Sequence, residues 1–398
     1  MKALRFERSL PKYGLARLTS SLGGGTGRAA KVGPLQLVED NEPRLPGPGW
    51  ERIRPRLGGI CGSDLATVEG RSSRYFEPIV SFPFIPGHEV VADRNDGTRV
   101  VLEPVLGCVA RAIDPPCGPC ARGELGRCER ITFGRIEPGL QSGFCCDTGG
   151  GWSTSMVAHV SQLHAVPDEL SDEDAVMIEP AACAVHGALA AGPLHGGVVS
   201  VIGAGTLGLL CIAALHRWNR PDQLIAAAKH PEQRLAAARL GATTVIDPSE
   251  LRRSVRSAVG TLAVGDGDIS RLSGGCDVVV DCVGSAASIA DAFSVVRPGG
   301  TVVMVGMPGT VRIDLTPLWH REIRLIGAYA YGVEPMVART RTFDLAFELA
   351  VSLQLGRFVT AAYPLHRYDD ALAHAASAGR RGAVKIAFDL RMEKERNR

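Results

Sequence analysis

The sequence has almost no surplus charge of either sign. Forty-four lysines and arginines face 42 aspartates and glutamates, a formal net charge of +2, so no overall field draws the chain to nucleic acid or to an anionic membrane. The start, Met1-Lys2-Ala3-Leu4-Arg5-Phe6-Glu7-Arg8, sets charges where an export signal needs an apolar core, which predicts a cytoplasmic protein. No convincing membrane span is present either. Val198 to Leu215 runs 18 residues without a charge, but Gly203, Gly205 and Gly208 divide it into a strand, a tight turn and a buried helix. The 11 cysteines are an odd number, and in a reducing compartment they read as metal ligands or buried thiols rather than as a disulfide framework. What remains is a soluble, loop-rich chain, 45% apolar and 22% charged with 47 glycines and 25 prolines, whose 398 residues predict two or three domains.

Chemistry gathers first at Gly59-Ile60-Cys61-Gly62-Ser63-Asp64, where a thiol is followed by a hydroxyl and a carboxylate. Alone, Cys61 is no more than a small hydrophobe. Pro86-Gly87-His88-Glu89 adds an imidazole and a carboxylate, and Ile178-Glu179-Pro180 adds another carboxylate. Three ligands of mixed sulfur, nitrogen and oxygen type, with a fourth position open, form the pattern of a catalytic zinc. A second cluster lies in a Gly- and Pro-rich stretch, where no core needs packing. Cys117, Cys120 and Cys128 stand as C-x2-C-x7-C, and with Cys108 they would make the closed, all-sulfur structural type of site. Asp114 rivals Cys108 for the fourth position, because zinc also accepts carboxylate oxygen.

Further along, the strand Val198–Ile202 runs into Gly203-Ala204-Gly205-Thr206-Leu207-Gly208 and an apolar helix to Leu215. In that context the glycines are a dinucleotide fingerprint: they let backbone approach a pyrophosphate and turn the helix N-terminus toward its charge. Strands at Gln223–Ala227, Thr244–Ile246, Asp277–Asp281 and Thr301–Val305 alternate with helices at Glu232–Leu240 and Ala286–Val296, which predicts a parallel doubly wound sheet. Arg297-Pro298-Gly299-Gly300 reads as a helix stop and turn. About 20 residues past the fingerprint, where an acid would hold a ribose 2′-hydroxyl, the chain has Lys229 and His230, with Arg234 following. Cations there would attract a 2′-phosphate, so NADP is expected over NAD.

Other segments carry less. Lys2–Phe6, Gln36–Glu39, Trp50–Arg56, Met156–His159 and Leu163–Val166 read as strands, and Ser171 reads as an N-cap with Asp174 three residues on. The Gly-rich piece around residues 19–33 is expected to be an irregular loop. Trp319, Tyr329 and Tyr331 are candidates for a substrate pocket.

Taken together, the Cys61 motif, Pro86–Glu89, the cysteine cluster, Glu179-Pro180 and the fingerprint occur in the order found in the zinc-containing medium-chain alcohol and polyol dehydrogenases, which the chain resembles over nearly its whole length. The resemblance implies an α/β protein with a GroES-like β-barrel catalytic domain over residues 1–180 and a Rossmann domain over 181–329. Residues 330–398 would return to complete the first. It implies one catalytic zinc on Cys61, His88 and Glu179, with Glu89 as an alternating or supporting group and Cys183 as a competing ligand. The second zinc would be structural, on the four cysteines. Ser63 would take the substrate proton and Asp64 would orient His88. Ala66 stands where classical relatives carry a relay histidine. The expected reaction is hydride transfer between NADP and a secondary alcohol of a polyol, sugar or hydroxylated metabolite, in a homodimer or homotetramer. The alternatives are an NAD-dependent threonine-type dehydrogenase and, more distantly, a non-catalytic nucleotide-binding protein.

Overall fold

The strand expected at Lys2–Phe6 forms as β1, in a computed structural model that describes residues 1–194, 196–265 and 270–391. It pairs antiparallel with β2 (Leu35–Glu39), and the residues between them depart from the expected loop. They form α1 (Leu10–Ser21) and α2 (Gly25–Val32), separated by a tight turn. Packing overrides the low helix propensity of glycine here: Ala16, Ala29 and Ala30 are fully buried, and the Thr26 hydroxyl donates to the Glu69 carboxylate. Next come β3 (Trp50–Gly59), α3 (Gly62–Val68), β4 (Val90–Arg94) and β5 (Arg99–Leu102). After the short α4 (Gly118–Ala121) follow β6 (Met156–His159), β7 (Leu163–Ala165) and α5 (Asp172–Val176), which Ser171 caps as expected. The helix breaks at Met177, and Glu179 lies in the first turn of a separate α6 (Ile178–Leu189).

The chain divides into two units, Met1–Glu179 with Ala346–Arg398, and Pro180–Leu345. In the second unit the strands are β8 (Val198–Ile202), β9 (Gln223–Ala227) and β10 (Thr244–Ile246), with α7 (Thr206–Ala214), α8 (Pro231–Arg239) and α9 (Leu251–Val259) between and after them. A small hairpin, β11 (Ala263–Val264) and β12 (Arg271–Leu272), precedes β13 (Cys276–Asp281), α10 (Ala286–Val295), β14 (Val296–Met304), α11 (Thr316–His320) and β15 (Arg324–Gly327). Six strands pair in parallel in the order β10-β9-β8-β13-β14-β15, the doubly wound arrangement whose order reverses between β8 and β13. The turn expected at Arg297–Gly300 is absorbed into β14 as a bulge, since the register jumps from Cys276 opposite Val296 to Val278 opposite Thr301. The run from Val198 to Leu215 is a strand, a turn and a helix, and no helix among the described residues is long and apolar enough to cross a membrane.

A second hairpin, β16 (Val333–Glu334) and β17 (Thr340–Arg341), leads into α12 (Thr342–Leu353), then β18 (Val359–Tyr363), α13 (Tyr368–Ala376) and β19 (Lys385–Asp389). These last strands join the first unit's sheet, ordered β18-β19-β3-β4-β5-β7 with β6 also on β3, and Ala387 stands opposite Gly59. Residues 392–398 of the expected returning segment lie outside the described residues. Trp152, Phe388 and Ile386 form part of the apolar core under the sheet.

One buried acid ties this unit together. Asp172 accepts from Arg56 Nε at 2.9 Å, Arg99 Nη1 at 3.2 Å and Arg391 Nη1 at 3.1 Å, joining β3, β5 and the stretch just after β19 to the start of α5. Burial alone would push its carboxyl up, but the arginines outweigh that and hold it below its ordinary value. Asp172→Asn is therefore expected to cost about 3 kcal/mol in urea unfolding followed by circular dichroism. The pairing contribution is complete above the ordinary carboxylate value of 3.8 and is lost as pH falls through the depressed folded value, so wild type and variant converge in that acidic range.

Candidate active site and metal centres

β3 ends at Gly59 and α3 begins at Gly62, so Cys61 stands at the N-cap position with extended backbone. Its N–H donates to Asp64 Oδ2 at 3.0 Å, and the other oxygen of that carboxylate lies 3.6 Å from His88 Nδ1. One buried acid thus fixes the Cys61 backbone and faces the imidazole. The His88 ring also packs 6.0 Å from the ring of Phe144. Burial works against charge on His88, but Asp64 and Cys61 outweigh it and hold the imidazole well above its usual value. Among the described residues, Asp64 Oδ1 and His88 Nδ1 are buried without a hydrogen-bond partner.

The ligand atoms of Cys61, His88 and Glu89 lie within 4.8 Å of one another. The third donor in this group is Glu89, the residue expected to alternate with or support Glu179. Glu179 remains buried in the first turn of α6. A cation from the far end of the chain sets this arrangement: Lys385, 2% exposed on β19, forms an ion pair with the Glu89 carboxylate. Burial works against the Lys385 ammonium, yet Glu89, Cys61 and Glu179 together hold its pKa above the ordinary value. Gly59 is required where it stands, because a Cβ there would lie 2.1 Å from Glu89 Oε2.

Cys108, Cys117, Cys120 and Cys128 also converge within 4.8 Å, with Cys108 Sγ 3.8 Å and Cys117 Sγ 4.0 Å from Cys128 Sγ. Tetrahedral Zn–S bonds of about 2.3 Å give sulfur–sulfur edges of about 3.8 Å. The donor set therefore suits such an ion. Cys108, not the exposed Asp114, completes it. Burial opposes ionisation of Cys117, but N–H donors from Glu129 and Cys120 pull its thiol down to about 7, while burial pushes Cys128 up to about 11. A dication is what would bring all four to thiolates at neutral pH. None of the 11 cysteines is in a disulfide.

In the second unit, the fingerprint turn sits at the C-terminal end of β8, where the strand order reverses. A Cβ on Gly208 would lie 1.8 Å from the Gly203 carbonyl oxygen, so helix α7 packs on the turn as closely as a glycine allows. A Cβ on Gly205 would meet open space, the kind of gap a pyrophosphate uses. Across from it, Asp281 accepts from the N–H groups of Val283 and Gly284 and from the Ser288 hydroxyl, holding the turn after β13. Lys229 is exposed at the end of β9. Arg234 donates to the Ala228 carbonyl at 2.8 Å and to Asp247 Oδ2 at 2.6 Å.

Three participants escaped sequence reasoning. Lys385 did leave a signal, a lone charge inside the apolar run Ala383–Phe388. Asp247 follows β10, one strand beyond the position inspected for a ribose-binding acid. Arg111, buried three residues after Cys108, left none. Of the aromatic pocket candidates, Tyr331 is 2% exposed and packs edge-on to Phe343, while Trp319 and Tyr329 are exposed.

Comparison with known proteins converges on one group. Residues 47–168 match the alcohol dehydrogenase GroES-like domain, and residues 206–350 match the zinc-binding dehydrogenase family. The chain is 27% identical to L-idonate 5-dehydrogenase of Vitis vinifera over 356 residues, covering 86% of this chain and 89% of that one. It is 27% identical to sorbitol dehydrogenase of Arabidopsis thaliana over 360 residues, with the same coverage of 86% and 89%. A zinc-binding dehydrogenase from Sinorhizobium meliloti 1021, solved bound to NADP, superposes with a TM-score of 0.65 at 25% identity, covering 89% of this chain and 95% of that one.

The Lys385–Glu89 pair is open to a direct measurement. Lys385→Met leaves the carboxylate buried without its cation and is expected to cost about 3–5 kcal/mol, read as a lower urea midpoint, whereas Lys385→Arg recovers most of it.

Proposed function

Because this chain belongs to the zinc-containing medium-chain alcohol and polyol dehydrogenases, we propose that it moves a hydride between NADP and a secondary alcohol carbon of a polyol, sugar or related hydroxylated metabolite. The convergence of Cys61, His88 and Glu89 carries this reading. Bound zinc supplies a Lewis acid that lowers the pKa of a substrate hydroxyl, and bound nicotinamide accepts or returns the hydride. Cys61 and His88 would hold the metal, with Glu89 or Glu179 as the oxygen donor, and Asp64 keeps thiol and imidazole in one orientation. Lys385 neutralises Glu89 and limits its reach. Ser63 Oγ takes the proton of the reacting hydroxyl, and the Ser63 carbonyl is itself fixed by the Thr67 hydroxyl at 2.9 Å. With Ala66 beyond it, Ser63 hands that proton to solvent. The four cysteines form a structural zinc centre.

At the cofactor's adenosine end, Gly203, Gly205, Thr206, Leu207 and Gly208 would receive the pyrophosphate, and Lys229, His230 and Arg234 the 2′-phosphate. Asp247 favours a second reading: a carboxylate on Arg234 suits a ribose hydroxyl and hence an NAD-dependent, threonine-type enzyme. Reduced thiols at both cysteine sites suit the cytoplasm. In the second unit, the edge strand β15 and its surroundings expose Leu315, Trp319, Leu325 and Tyr329, an apolar margin that suits a second copy of the chain.

Cys61→Ser, or exhaustive chelation, is expected to abolish turnover of polyols and L-threonine followed at the nicotinamide absorbance band; full turnover after either overturns the zinc reading. NADP is expected to give the higher kcat/KM, and Asp247→Asn to raise the NADP-to-NAD ratio by about tenfold, or about 1.4 kcal/mol. Preference for NAD in wild type would establish the second reading. Light scattering is expected to give at least twice the 42.1 kDa chain mass, and Trp319→Glu with Leu325→Glu to lower it.

A further inference from the structure

Eight residues separate Cys108 from Cys117, and that insertion carries a buried charge whose purpose the hydrogen bonds alone do not explain. Arg111 has no solvent exposure. Its guanidinium donates only to backbone carbonyls: Nε to Leu106 at 3.0 Å, Nη1 to Phe133, Ile136 and Glu137 at 3.0, 3.1 and 3.3 Å, and Nη2 to Gly139 at 2.6 Å. No carboxylate pairs with it within 4.0 Å among the described residues. Carbonyl dipoles solvate a cation but do not neutralise it, and a buried unpaired charge is costly.

Zinc with four thiolates carries a net charge of about −2, itself buried and in need of compensation. The Nε bond to Leu106 holds the guanidinium against backbone two residues before the ligand Cys108, and the groups whose fields act on it are, in falling order, Cys145, Cys128, Cys108 and Asp147. We propose that Arg111 is a positioning residue that offsets the charge of the four-thiolate centre, so that cation and metal site stabilise each other, and that it raises the site's metal affinity without touching a ligand. This inference rests on the reading of the four cysteines as a zinc centre.

A scaffold role alone, tying residues 106–111 to 133–139, would depend on the forked donor geometry rather than on charge. Lysine separates the two, because it keeps the charge and loses the fork. In the full-length chain carrying Cys61→Ser, which leaves the four-cysteine centre as the remaining zinc site, zinc is titrated against a chromophoric chelator. R111M is expected to weaken zinc binding by about 10–100-fold, and R111K to restore most of that loss. Equal weakening in R111K and R111M overturns the proposal, as does parental affinity in R111M. If R111M does not accumulate as soluble chain, R111Q, neutral and able to reach fewer carbonyls, takes its place with the same expectations. A Cys61→Ser chain that binds no zinc at all would instead overturn the zinc reading of the cysteines, and the proposal with it.

Discussion

Two opposite charges buried against each other, Glu89 and Lys385, couple the first unit's sheet to its candidate metal site. The carboxylate is 1% exposed and the ammonium 2%, so either one alone would be an uncompensated buried ion. Burying both requires β19 to lie beside β3, which is what brings the C-terminal segment back into the sheet. It requires glycine at position 59, where a side chain would collide with Glu89. It also sets the carboxylate among Cys61 and His88, so the electrostatics of the candidate metal site and the topology of the sheet are one problem with one solution.

The parts legible in the sequence are those where local backbone or coordination geometry dictates residue type. The fingerprint glycines are such a case, since Gly208 approaches the Gly203 carbonyl too closely for any side chain. The four cysteines are another, because tetrahedral sulfur ligation leaves few spacings open. The parts that were not legible depend on residues distant in the chain. Ala29 and Ala30 become helical within a Gly-rich stretch because they are buried, and an isolated segment carries no sign of that. Likewise the sequence, which put Glu179 on the metal with Glu89 as an alternating or supporting group, carried no sign that Lys385 would be buried against Glu89.

The same limitation governs the adenosine end of the dinucleotide site. A spacing rule inspects the end of the second strand, where Lys229 stands. In a parallel sheet, however, neighbouring strands finish side by side: Ala227 is level with Ile246, and the Ala228 N–H donates to the Ile246 carbonyl. Asp247 is therefore as close to the cationic group as that group's own neighbours, and its ion pair with Arg234 lowers the local positive charge that composition alone suggests.

The position of Lys385 also sets an order of events during synthesis. β19 is translated only after the whole of the second unit, residues 180–345, has been made. Until then the nascent first unit holds Cys61, His88 and Glu89 with the acid unmatched and an open strand edge on β3. The second unit, encoded entirely between residues 180 and 345, has all six strands of its sheet available earlier. The first unit thus completes its sheet after the second has been made, inverting the usual order in which domains mature along a growing chain, and β3 is the edge that must be kept from other partners in the interval.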